Sequence, residues 1–210
     1  MTFNPSSNSA PSRSDRTQWQ FTPLALPGVI LVAPPVFGDA RGWLSETYNA
    51  RIFSAHGIDL RFVQDNVSFS AEIGTVRGLH YQLPPFAQDK LVRVVSGRIL
   101  DVAVDIREHS PTFGKHVAVE LSAENWRQLL VPAGFAHGFI TRTANTIVAY
   151  KVTNFYAPDY DRGINWTDPA LKIAWEIGEA EATLSSKDKD LPLLQDAARF
   201  GMTEPSSESE

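Results

Sequence analysis

The residues best suited to chemistry lie in one short stretch, Arg77-Gly78-Leu79-His80-Tyr81-Gln82, with Lys90 eight residues beyond its end. An imidazole changes charge near neutral pH, so histidine is the usual choice for moving protons. A lone histidine on an apolar strand is more often a packed, hydrogen-bonded core residue. Strand alternation bears on that choice here. It turns Arg77, Leu79 and Tyr81 to one face and Gly78, His80 and Gln82 to the other. Lys90 opens a second, strongly alternating segment, which sets a cation toward the same interior as the imidazole. A histidine beside a cation makes a poor structural element and a good chemical one.

Elimination narrows the chemistry further. The chain has no cysteine, so disulfides, thiol nucleophiles and thiolate metal sites are excluded. No Gly-x-Ser-x-Gly elbow, phosphate-binding glycine loop or dinucleotide fingerprint occurs. The five histidines, His56, His80, His109, His116 and His137, form no His-x-His or i,i+4 pair. A catalytic metal needs three or four compact ligands, so neither a metal nor a cofactor is expected. What is left is acid–base work by His, Tyr, Lys and carboxylate, with arginines to bind anions. Further candidates are His137, set between Gly134 and Gly138 after a turn, and Tyr150 on an apolar strand. Gln64, Asn66 and Ser68 share one face of an alternating segment, either a solvated face or a hydrogen-bonding wall. Asp101 and Asp105 lie on the polar face of another strand, and either could orient His80. Taken alone, Leu184-Ser185-Ser186-Lys187-Asp188 reads as a solvated loop.

The elements that must position these residues are mostly short strands. At 210 residues, with 43% hydrophobic and 20% charged content, the chain fits one soluble domain. Its net charge of −5 disfavours nucleic acid but leaves room for a small anion held by a local cation cluster. No apolar leader is visible and no window nears the roughly eighteen apolar residues of a membrane helix, so a cytoplasmic protein with no membrane partner is expected. Residues 1–18 read as a disordered polar leader, 19–201 as one domain and 202–210 as a disordered tail. Strand patterns recur over Trp19–Pro35, on either side of the Gly38–Gly42 turn, and over 62–70, 91–107, 117–121, 135–141 and 146–153. Ser122–Asn125 reads as a capped turn, 49–57 as a helical turn or two, and 191–200 as the late helix candidate. The pattern predicts an all-β sandwich or barrel with a few short peripheral helices.

Ten ordered motifs now combine. They are Phe37-Gly38-Asp39-x-Arg41-Gly42, Gln64-Asp65-Asn66, Arg77 to Gln82, Lys90-Leu91-Val92-Arg93 and Asp101 to Arg107, then Ser110 to Gly114, Pro132-x-Gly134 to Phe139, Tyr150-Lys151, Trp166-x-Asp168-Pro169 and Leu184-Ser185-x-Lys187-Asp188. Over residues 25 to 195 the chain resembles the dTDP-4-dehydrorhamnose 3,5-epimerase family. The resemblance implies a cupin-like jelly roll, homodimeric and metal-free, acting on a dTDP-linked 4-keto-6-deoxy sugar. It makes His80 the base oriented by Asp188, Tyr150 the acid, and Lys90 the stabiliser of the oxyanion. It implies substrate binding by Arg41, Glu46, Gln64, Asn66, Arg77, His137, Asp161 and Lys187, with Asp161 standing where the family more often has glutamate. Two other readings are a relative that inverts a single carbon and a non-catalytic cupin that binds nucleotide sugars.

Overall fold

Alternation governs where each strand sends its side chains. The computed structural model describes residues 17–201, so the leader and tail expected over 1–18 and 202–210 lie outside the described residues except for 17 and 18. The chain forms β1 (Gln20–Pro23), β2 (Ile30–Ala33), β3 (Phe37–Asp39), β4 (Gly42–Leu44), α1 (Ala50–Ala55), β5 (Gln64–Ser70), β6 (Val76–Gln82), β7 (Lys90–Ser96) and β8 (Arg98–Asp105). After these come β9 (His116–Ser122), β10 (Gln128–Val131), β11 (Phe135–Thr141), β12 (Thr146–Val152), β13 (Asp161–Gly163) and α2 (Ser186–Lys189). A six-stranded sheet runs β1-β2-β10-β7-β12-β5 and a five-stranded sheet runs β13-β6-β11-β8-β9. The hairpin β3–β4 stands apart as a two-stranded ribbon. All paired strands are antiparallel. The expected all-β sandwich with short peripheral helices is what forms.

Between the sheets, Val92, Val94, Ile99, Ala103, Phe135, Phe139 and Val148 make the central core. Lys90 has the parity of Val92 and Val94, and Tyr150 that of Val148, so both point inward. On β5, Gln64, Asn66, Ser68 and Ser70 are sheltered while Asp65, Val67 and Phe69 are exposed. The polar face predicted there is therefore the inner one.

The apolar face of β8 serves a different core. Val102, Val104 and Ile106 join Val76, Leu79, Tyr81, Ala136 and Ile140 on the outer side of the five-stranded sheet. The segment after β13 covers them with Ile164, Trp166, Leu171, Trp175 and Ala197. Full burial of an aliphatic side chain stabilises by about 1.5–3 kcal/mol. The exposed Arg142–Glu176 and Arg199–Glu108 pairs at this segment contribute about 0–1 kcal/mol each, so apolar burial is what holds it down.

Two local expectations resolve differently. The 49–57 prediction holds: Asn49 Oδ1 accepts from Arg51 N and Ile52 N at 3.0 and 3.3 Å, and Gly57 follows the helix with φ +77°. The 191–200 helix does not form. Its backbone is engaged elsewhere: Leu194 N donates to Asp168 Oδ2 at 2.6 Å and Ala198 O accepts from Tyr81 Oη at 2.5 Å. Tertiary partners for single groups replace the repeating i→i−4 ladder.

Candidate active site

The site begins with an irregularity in β6. In the β6–β11 pairing His137 stands opposite His80, but Phe139 stands opposite Arg77, so β6 carries one extra residue around Gly78 and Leu79. The Gly78–Leu79 peptide is cis. Alternation alone sets Arg77 and His80 on opposite faces; the bulge brings both to the inner face, where they line the same cleft. Two glycines make room for it. A Cβ on Gly78, at φ +121°, would sit 2.5 Å from Gly138 Cα, and one on Gly138 would sit 2.7 Å from Arg77 O. Leu79 and Tyr81 keep to the outer core as expected.

The cleft opens between the two sheets. A lobe of about 430 Å³ is lined by Arg77, His80, Lys90, His137, Tyr150, Lys187 and Asp188. An adjoining lobe of about 290 Å³ adds Gln64, Asn66, Gln88, Tyr156 and Asp161 and shares His80, Lys90 and Tyr150. These are sizes suited to a small ligand. His80 reaches in from the five-stranded sheet, Lys90 and Tyr150 from the six-stranded one.

His80 Nε2 hydrogen-bonds Asp188 Oδ1 at 2.5 Å. Asp188 belongs not to a solvated loop but to α2, where Ser185 Oγ caps its N–H at 3.1 Å and its side chain is 5% exposed. Burial pushes the Asp188 carboxyl up, but hydrogen bonds from His80, Ser185 and the Gly78 backbone outweigh that and hold it below the ordinary value. Lys90 Nζ donates to the His80 carbonyl at 3.2 Å. Its burial lowers the ammonium to about 8, against the opposing pull of Asp161 and Asp101. Burial pushes the Tyr150 phenol above its usual value; Arg77 works against the shift and Asp161 with it. That phenol keeps its proton at neutral pH.

The other named residues divide into two groups. Gln64 Nε2 donates to Asn66 Oδ1 at 2.9 Å, and Arg77 is held by Ser70 Oγ at 3.3 Å and Phe69 O at 2.9 Å. Lys187 forms an ion pair with Asp161, whose Oδ2 also accepts from Tyr156 Oη at 3.1 Å. His137 Nε2 bonds Asp101 Oδ1 at 2.8 Å. Asp105 instead accepts from Arg107, Ser110 and Thr112, so neither strand carboxylate reaches His80. Arg41 and Glu46 are not in the cleft. Arg41 sits on the β3–β4 hairpin, 90% exposed and paired with Asp39, and Glu46 accepts from Asn49 Nδ2 at 2.9 Å.

Sequence reasoning missed Ser70, Ser185, Gln88 and Tyr156. Ser70 had a signal, because it shares the parity of Gln64, Asn66 and Ser68. Among the described residues, no group of three or more His, Asp or Glu could hold a metal ion. A smaller cleft of about 210 Å³, on the outer side of the six-stranded sheet, includes Asp65, Arg93 and Lys151 and holds no histidine.

A jelly-roll sandwich whose cleft is lined by a His–Asp pair, a lysine and a tyrosine from the opposite sheet defines a cupin-like isomerase. Residues 23–196 match the family model of dTDP-4-dehydrorhamnose 3,5-epimerase, and the chain belongs to that family. A dTDP-4-dehydrorhamnose 3,5-epimerase of Sinorhizobium fredii is 52% identical over 174 residues, 83% of this chain and 89% of the relative. The Bacillus anthracis enzyme, solved with TDP and PPi bound, is 48% identical with a TM-score of 0.81 and covers 83% of this chain and 99% of that one. The Legionella pneumophila enzyme, solved with dTDP-4-keto-L-rhamnose, is 44% identical with a TM-score of 0.81, covering 85% and 94%.

Proposed function

We infer that the protein inverts carbons 3 and 5 of dTDP-4-dehydro-6-deoxy-D-glucose to give dTDP-4-dehydro-L-rhamnose. The observation that carries the reading is that the His80–Asp188 pair, Tyr150 and Lys90 line one cleft, the first from one sheet and the last two from the other. The carbon-4 ketone acidifies the neighbouring C–H bonds. His80 takes the proton from carbon, and the bonding pair moves onto the ketone oxygen as an enolate. Lys90 stabilises that oxyanion, and Asp188 fixes the imidazole. Tyr150 then returns a proton to the carbon from the opposite face. One proton leaves and one arrives at each centre, so the product is an isomer and no electron acceptor is needed.

Arg77 and Lys187 supply charge for the diphosphate, and Gln64, Asn66, His137 and Asp161 hold the rest of the ligand. Arg41 and Glu46 act in a second copy. Their hairpin exposes Phe37, Trp43 and Leu44, and the nearby sheet exposes Val67 and Phe69, apolar area that a homodimer would cover. No helix among the described residues is long and apolar enough to cross a membrane. A cytoplasmic setting suits the cysteine-free chain.

The test is NMR of dTDP-4-dehydro-6-deoxy-D-glucose with the protein in D₂O, with light scattering on the same sample. Deuterium at both carbons and a mass of two chains are expected. Deuterium at one carbon would make the enzyme monofunctional, and none would overturn the enzymatic reading.

A further inference from the structure

The cleft contains a second histidine–carboxylate pair that the proton-transfer scheme does not use. His137 stands directly opposite Ala103 in the β11–β8 register, and Asp101 is the next residue along the same face of β8. The pair is closed off, with His137 9% and Asp101 0% exposed at their side chains. Asp101 Oδ2 is buried and accepts no hydrogen bond from a protein group among the described residues. Leaving a buried carboxylate oxygen unpaired costs stability, so its retention beneath a binding cleft points to electrostatic work. Asp105, on the same face of β8, is saturated by Arg107, Ser110 and Thr112 and serves as the internal contrast.

We propose that Asp101 is a positioning residue of the reaction centre, orienting His137 through Nε2 and supplying the counter-charge that keeps the Lys90 ammonium available to the enolate oxygen. With Nε2 engaged, Nδ1 is the His137 nitrogen left for the substrate. The Lys90 side chain is half-buried on the cleft wall, and its one hydrogen bond among the described residues is to the His80 carbonyl, a neutral acceptor. Asp101 on β8 and Asp161 on β13 favour the ammonium. Arg77 on β6 and Lys187 on α2 are the other cations lining the cleft, and Lys187 is itself paired with Asp161. Asp188 is committed to His80, and Tyr150 on β12 keeps its proton. Asp101 is thus the cleft carboxylate paired with neither Lys187 nor His80, and its one side-chain partner among the described residues is His137. The inference rests on the epimerase reading, because only a developing oxyanion needs that ammonium.

Asp101→Asn is the test, with Asp105→Asn as control. Lys90 acts as the cation, so activity falls as pH rises through its pKa. Removing the Asp101 carboxylate lowers that pKa. The alkaline limb of the kcat/KM profile should move to lower pH by about half a unit or more, and kcat should fall about 10–100-fold with KM nearly unchanged. Asp105→Asn should leave the limb in place. The titration of the Lys90 ammonium, followed by NMR in substrate-free protein, should move with the limb. This reading is independent of turnover. If wild-type protein incorporates no deuterium while the titration still moves, the epimerase reading fails and the coupling of Asp101 to Lys90 stands. An unmoved limb and titration in Asp101→Asn overturn the proposal. Should Asp101→Asn not fold, Asp101→Glu decides: a lowered kcat with the wild-type limb supports the role, and a shifted limb refutes it.

Discussion

His80 and His137 face each other across the β6–β11 register, and each is bonded to an aspartate, but the two pairs are built differently. The His80 side chain is 30% exposed and its partner arrives on α2, 108 residues away in sequence. The His137 side chain is 9% exposed, and its partner sits on the adjacent strand, 36 residues away. Hydrogen bonds from three groups hold the Asp188 carboxyl below its ordinary value, whereas one oxygen of Asp101 meets no protein donor among the described residues. An open pair with a well-satisfied carboxylate can exchange protons with a ligand. A closed pair with an unsatisfied carboxylate holds charge and orientation. In the proposed scheme the same two residue types divide two jobs by burial and by hydrogen bonding.

The largest effect expected is from His80→Ala. Loss of the general base should lower kcat/KM by about 10²–10⁴-fold, while dTDP affinity by calorimetry stays close to wild type. Substantial remaining turnover would erase the distinction between the pairs and make His137 a candidate base. Tyr150→Phe comes next, with a loss of about 10²-fold. Because it removes only the acid, deuterium exchange at one carbon should survive better than complete double inversion. Equal loss of both in the D₂O experiment would place the phenol in proton abstraction as well.

Asp105→Asn tests the structural end of the comparison. Burial pushes this carboxyl up, but hydrogen bonds from Arg107, Ser110 and Thr112 outweigh it and hold the group at about 2. A depressed folded pKa contributes stability that is present above the unfolded value of about 3.9 and is lost as pH falls through the folded value. Asp105→Asn should therefore cost about 2 kcal/mol in denaturant unfolding at pH 7, and the difference should shrink between about pH 4 and pH 2. A loss that does not vary over that window would show that packing rather than charge accounts for it.

Much of this molecule is legible locally. Period-two alternation turned Lys90 toward the interior and grouped Gln64, Asn66 and Ser68 on one face, leaving open whether that face met solvent or a cavity, because side-chain direction along a regular strand is a property of neighbouring residues. It failed at Arg77, where the bulge against Gly138 reverses the direction of every side chain before it. Alternation separates the apolar face of β8 from its aspartates but does not say that the segment after β13 is what covers that face. The 191–200 segment has a helical composition, but Asp168 and Tyr81 take its backbone groups.

By itself the sequence determined the chemical inventory: no thiol, no serine elbow, and a histidine, lysine, tyrosine and carboxylate set suited to proton transfer. It also determined the all-β class, since periodicity and turn residues are read over a few positions. The resemblance already paired Asp188 with His80; only the tertiary structure decided that Asp101 meets His137, that Arg77 shares a face with His80, and that Arg41 and Glu46 stay outside the cleft. Those outcomes depend on how two sheets stack and where one strand carries an extra residue. Contacts between groups 36 and 108 residues apart have no local sequence rule to announce them.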